Sequence, residues 1–94
     1  MLGFTLSELA KKLDCEIEGN GDTIINSLGT VENAVVGQIC FIANKQYVKH
    51  LASTSASAAI ISPALLAQCG VPALVTKDPY GVYAKLSILF DDAP

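Results

Sequence analysis

Phe41, Asn44 and Tyr47 recur at intervals of three in a chain of 94 residues. They cross the junction between the apolar run Ile39-Cys40-Phe41-Ile42 and a following segment of helical character. A strand-to-helix junction of this kind can gather two aromatic rings and one amide around a single concave spot. Aromatic faces hold a planar base by stacking, worth roughly 1–3 kcal/mol per base in single-stranded nucleic acids. An amide adds direction, because its carbonyl accepts and its NH₂ donates. The same residues also have plain structural uses, Phe41 as core and Asn44 as the cap of the helix behind it. Spacing alone leaves both readings open.

Other candidate chemistry is thinner. His50 is the single histidine, and a histidine can serve as a general base. It falls inside the helical segment with no evident nucleophile, and reads as a partly exposed helix residue. Ser53, Ser55 and Ser57 cluster in a turn-like stretch without a base partner, so no serine–histidine–aspartate set is evident. The three cysteines, Cys15, Cys40 and Cys69, are far apart, with no C-x-x-C spacing and no matching histidines. They read as reduced, mostly buried thiols in a cytoplasmic compartment. Asp91 and Asp92 read as a solvated end, and no metal site is expected. Gly19-Asn20-Gly21-Asp22 lacks the lysine of a P-loop and the spaced glycines of a dinucleotide loop, so it reads as a turn. No cofactor and no catalytic residue are expected in this chain.

The elements that must position the triplet can be read outward from it. Thr5-Leu6-Ser7-Glu8 has the form of a capping box, and Leu6, Leu9, Ala10 and Leu13 recur at helical spacing, predicting a helix to about Leu13. Cys15 to Glu18 alternates as a strand, and the glycine-rich turn predicts a hairpin into Ile24 to Leu28. After a connection over 29–38, Ile39 to Ile42 and Ala58 to Ile61 read as buried strands, with a helix over Lys45 to Ala52 between them. Pro63 opens a short helix over Ala64 to Cys69, Ala73 to Val75 is a third buried strand, and Asp78-Pro79 starts a helix to about Phe90. Val82, Tyr83, Leu86, Leu89 and Phe90 give that helix an apolar face. Alternation of strand and helix from residue 38 predicts a small α/β layer structure.

Composition bounds the rest. Ninety-four residues fit one domain, residues 1–94, and a composition that is 51% hydrophobic and 16% charged is that of a folding chain. A formal net charge of −3 argues against nucleic acid as a partner. The most apolar stretch, Ala56 to Val75, is interrupted by Ser57, Ser62, Pro63, Gln68, Gly70 and Pro72, so no transmembrane segment is expected. No secretory signal opens the chain.

Four segments together carry a resemblance: Thr5 to Asp14 with its T-L-x-E-L-A-x-x-L pattern, the Gly19-Asn20-Gly21-Asp22 turn, Gly37 to Leu51, and Asp78 to Leu86. They resemble the N-terminal domain of UDP-3-O-(3-hydroxyacyl)glucosamine N-acyltransferase, over essentially the whole chain. The resemblance implies a uridine-nucleotide-binding domain, with Phe41 and Tyr47 as the pair that stacks on uracil and Asn44 as the reader of its edge. It departs from the family at Cys40, often serine, at Lys45, often proline, and at Asp78, often asparagine. None of these removes a proposed contact.

The family transfers a hydroxyacyl chain from acyl carrier protein to the 2-amine of a UDP-3-O-acylglucosamine in lipid A biosynthesis. Its catalytic histidine lies on a left-handed β-helix of hexapeptide repeats, through which it forms a homotrimer. Neither repeats nor that histidine lie in these residues, so acyl carrier protein and the trimer belong to absent domains. Two further readings stay open: the N-terminal domain of a peptidoglycan-precursor ligase, whose general character is related, and a docking domain that binds no nucleotide.

Overall fold

The computed structural model describes residues 3–42, 48–51 and 54–90. The chain opens with β1 (Phe4–Thr5) and α1 (Leu6–Leu13), followed by β2 (Glu16–Glu18), β3 (Ile24–Ile25) and β4 (Ser27–Leu28). β5 (Gln38–Phe41), α2 (Val48–Leu51) and β6 (Ala58–Ile61) come next, then a 3₁₀ helix at Pro63–Gln68, β7 (Ala73–Val75) and α3 (Pro79–Phe90). Five strands form one sheet in the order β2-β7-β6-β5-β4, and β1 pairs with β3 in a separate two-stranded ribbon. β4, β5, β6 and β7 run parallel, while β2 joins the β7 edge antiparallel.

Parallel strands covered on both faces must be apolar at every position, and β6 and β7 are buried throughout. Side chains alternate between faces, which divides the core in two. Ile39, Ala58, Ile60 and Leu74 face α1 and α3, packing with Leu6, Leu9, Leu13, Val82 and Leu86. Cys40, Ile42, Ala59, Ile61, Ala73 and Val75 face the other way, against Val31, Ala34, Leu51, Leu65 and Leu66. The molecule is a three-layer α/β structure, as the alternation of elements predicts.

Local chemistry explains the element ends. The Thr5 backbone N–H donates to Glu8 Oε1 (2.9 Å) and the Glu8 N–H donates to Thr5 Oγ1 (3.1 Å), closing the capping box of α1. α1 stops at Asp14, which adopts the left-handed conformation and donates its N–H to the Ala10 carbonyl. The Gly81 N–H donates to Asp78 Oδ1 (3.1 Å), so Asp78 caps α3 from the position the sequence predicts.

Three expectations require correction. The glycine-rich turn does not join a hairpin: β2 pairs with β7, register Ile17 to Leu74, and β3 pairs with β1, register Phe4 to Ile25. A turn motif specifies a local reversal, but here each strand gains more by joining a different layer. The expected strand over Ile24 to Leu28 is two short strands separated by Asn26, whose N–H donates to the Gly37 carbonyl (2.7 Å). The expected helix over Ala64 to Cys69 is the 3₁₀ helix Pro63–Gln68, starting at the proline itself. The helix expected over Lys45 to Ala52 coincides with α2 at 48–51, and its other positions lie outside the described residues.

Candidate aromatic binding site

Phe41 is the last residue of β5, at the carboxyl edge of the parallel strands. That edge is where open α/β sheets place their ligands, because strand ends and helix starts leave a crevice there. α3 begins at the same edge, since residues 76–78 alone separate it from the end of β7. The Asp78 N–H donates to Thr76 Oγ1 (3.0 Å), and the Asp78 carboxylate then caps the helix. This short, hydrogen-bonded connection sets where the first turn of α3 stands relative to the sheet.

Two tyrosines of α3 meet Phe41. The Tyr83 ring stacks on it with centroids 4.1 Å apart and an interplanar angle of 29°. The Tyr80 ring meets it edge-on at 5.4 Å and 65°. The edge contact suits the ring quadrupole, which favours edge-to-face over sandwich arrangements, while the closer stacked pair buries one face of each ring. Phe41 and Tyr83 are half-buried against the core between α3 and the sheet, whereas Tyr80 is 65% exposed. The result is an aromatic ledge with its base in the core and its edge in solvent, a surface suited to a planar ligand.

Of the three residues singled out in the sequence, Phe41 stands at this ledge; Asn44 and Tyr47 lie outside the described residues. Tyr80 and Tyr83 were not assigned to the site from the sequence, where Tyr83 counts only toward the apolar face of its helix. The signal was their spacing of three behind the Asp78-Pro79 start, which puts both rings on neighbouring positions of one helical face. What spacing does not carry is that α3 leans its first turns on the end of β5.

His50 is a partly exposed residue of α2, bordering a shallow depression with Glu32, Asn33 and Thr54. Ser57 Oγ accepts from the Gly37 N–H (2.8 Å), and Ser55 is exposed; Ser53 lies outside the described residues. Cys40 is buried, and Cys15 and Cys69 are half-buried. Burial pushes the Cys40 thiol up to about 11, with the neighbouring Cys69 adding to it, and burial raises Cys15 and Cys69 as well. Thiols held protonated in this way are packing groups rather than nucleophiles. Among the described residues, no group of three or more histidine, cysteine, aspartate or glutamate side chains is placed to hold a metal ion. No helix among them is long and apolar enough to cross a membrane.

Comparison with known proteins gives a consistent result. Residues 22–89 match the family model described as UDP-3-O-(3-hydroxymyristoyl) glucosamine N-acyltransferase, LpxD. The chain is 44% identical over 90 residues to a UDP-3-O-acylglucosamine N-acyltransferase of Alcanivorax borkumensis, an alignment covering 96% of this chain and 27% of that protein. It is 42% identical over 89 residues to the enzyme of the same name from Hahella chejuensis, covering 95% of this chain and 26% of the relative. The one from Shewanella sp. is 42% identical over 94 residues, covering all of this chain and 28% of the relative. The chain thus spans about a quarter of the length of the curated relatives it matches.

Proposed function

The chain belongs to the UDP-3-O-acylglucosamine N-acyltransferase (LpxD) family, and from that premise we propose that residues 1–94 form its uridine-recognition domain. The substrate held is a UDP-3-O-acylglucosamine. Phe41 and Tyr47 stack on the uracil ring, and Asn44 hydrogen-bonds its edge. The observation that carries this reading is the Phe41 ring itself. It stands at the carboxyl edge of a parallel sheet, half-buried and backed by a second ring at 4.1 Å.

The activity of the whole protein follows as part of the same proposal: transfer of a 3-hydroxyacyl chain from acyl carrier protein to the 2-amine of the UDP-sugar, in lipid A biosynthesis. In that reaction this domain positions and does not catalyse. Binding energy gained at the uracil, remote from the reacting amine, can orient the sugar for attack. Acyl carrier protein binding and homotrimer formation belong to parts of the family outside this chain. Three unpaired cysteines fit a reducing, cytoplasmic setting.

The test is a titration of the chain with UMP, UDP-N-acetylglucosamine and AMP, followed by backbone amide shifts in NMR spectra. Saturable shifts centred on Phe41, Asn44 and Tyr47 are expected with the uridine ligands, and weaker ones with AMP. One stacked base with one hydrogen bond corresponds to millimolar affinity, about −4 kcal/mol, so concentrations must reach that range. Absence of saturable shifts in this segment rejects a uridine site formed by these residues alone, and leaves either a site completed by the rest of the family's length or a docking role.

A further inference from the structure

The ledge assigns different work to its two tyrosines, and we infer that Tyr83 is a positioning residue that fixes the plane of Phe41. This rests on the reading of Phe41 as a base-stacking residue. A phenylalanine at the end of a strand has two faces on which a base can stack and a side chain free to change rotamer. Here one face is covered, because the Tyr83 ring lies on it at 4.1 Å and only 29° from parallel. Tyr80 meets the ring at 65° and 5.4 Å, a T-shaped contact rather than a second stacked ring, and the face opposite Tyr83 is the one this inference gives to the ligand.

Tyr83 can hold this position because its own helix is anchored on both sides of it. Val82 and Leu86 are buried against the sheet, and Asp78 caps the helix one turn earlier. Tyr83 is itself packed onto the core cluster, while Tyr80 stands 65% exposed at the rim. The stacking face of Phe41 is therefore pre-set before any ligand arrives. Ordering a free side chain on binding costs about 0.5–1.5 kcal/mol, or roughly two- to tenfold in affinity. Tyr83 removes that cost, and its ring does so rather than its hydroxyl.

The test compares the wild-type chain with Tyr83→Met, Tyr83→Phe and Phe41→Ala, titrating each with UMP below its melting temperature. Two quantities are read: the dissociation constant, and the upfield ring-current shift of the uracil H5 and H6 protons at saturation. The shift depends on how parallel base and ring lie, and a change in fold stability alone does not move it. Tyr83→Met is expected to weaken UMP binding about two- to tenfold and to shrink the limiting shift, with Tyr83→Phe restoring both. Wild-type affinity and shift in Tyr83→Met, beside lost binding in Phe41→Ala, overturn the positioning role and leave the base site intact. Unchanged binding in Phe41→Ala removes the base site and the inference with it. A measurement on the wild type keeps the question decidable if Tyr83→Met does not fold. Transferred NOEs from uracil H5 and H6 should reach the Phe41 ring and not the Tyr83 ring, and an NOE to Tyr83 would mean that it touches the ligand directly.

Discussion

At the scale of single residues, burial decides what each side chain can do, and Cys40 shows it most clearly. Its thiol is fully buried in β5, donates to the Ala58 carbonyl at 3.7 Å, and is pushed by burial from the ordinary 9.0 up to about 11. The unfolded chain releases this proton near pH 9 while the folded chain keeps it, so folding is disfavoured as pH climbs between the two values. The stabilising contribution is present in full below about pH 9 and is lost as pH rises through about 11, amounting to about 2–3 kcal/mol. Urea melts from pH 7 to 11 on the wild type and on Cys40→Ala should therefore diverge, the wild type losing stability more steeply above pH 9. Parallel curves would mean that Cys40 ionises in the native state without penalty. The candidate site was legible at this scale only in part. The type and spacing of Phe41 pointed to a ring at a strand end, and the structure puts it there. Tyr80 and Tyr83 were hidden because they are 39 and 42 residues further along, and only the packing of α3 on β5 brings them near.

At the scale of elements, what can be read from sequence is whatever a few neighbouring residues settle among themselves. The capping box of α1, the apolar face Leu6, Leu9, Ala10 and Leu13, the Asp78 cap of α3 and the continuous apolar runs of β6 and β7 are of this kind. Strand pairing is not, because the Gly19–Asp22 turn is compatible with a hairpin and with a chain that crosses between layers. The partners of β2 and β3 are chosen by burial of Ile17 and Ile25 in the core between the helices and the sheet. Thr5 allows the local part to be measured. Replacing it with alanine removes the acceptor for the Glu8 N–H, and should cost about 1 kcal/mol in a denaturant melt at neutral pH. Glu8 adds a pH dependence. The Thr5 backbone N–H, then the Thr5 hydroxyl, hold its carboxylate below the usual 4.5. Its contribution is thus present above about pH 4.5 and lost as pH falls through the depressed folded value. Glu8→Gln keeps the hydrogen-bonding geometry without the charge, and should lose less stability than the wild type on acidification from pH 5 to 3.

At the scale of the whole molecule, the sheet is the shared wall of two apolar clusters, so nothing that loosens β7 stays local. Leu74 lies fully buried between Ile17 of β2 and Ile60 of β6, and its neighbours Ala73 and Val75 belong to the opposite cluster. β2 is the strand that ties the α1 end of the chain to this sheet by backbone pairing, beside the side-chain packing of α1 itself. Gly19 sits where that attachment ends. It has φ +100°, and a Cβ built there falls 2.9 Å from Pro72 Cα and 3.1 Å from Pro72 Cβ, atoms of the backbone and ring just ahead of β7. An alanine at this position must accept a left-handed backbone and also push the β2 end away from the segment leading into β7. Gly19→Ala should therefore destabilise the chain by more than about 1 kcal/mol, although the same change at an ordinary negative φ stabilises by reducing unfolded-state entropy. Gly19→Asn separates the two causes. Asparagine tolerates positive φ but still carries a Cβ. A urea midpoint for Gly19→Asn close to that of Gly19→Ala would assign the cost to crowding against Pro72, and one close to wild type would assign it to the backbone angle. Wild-type midpoints for both would show that β2 and β7 can part here without loosening the sheet, against the single cooperative core that the two clusters imply.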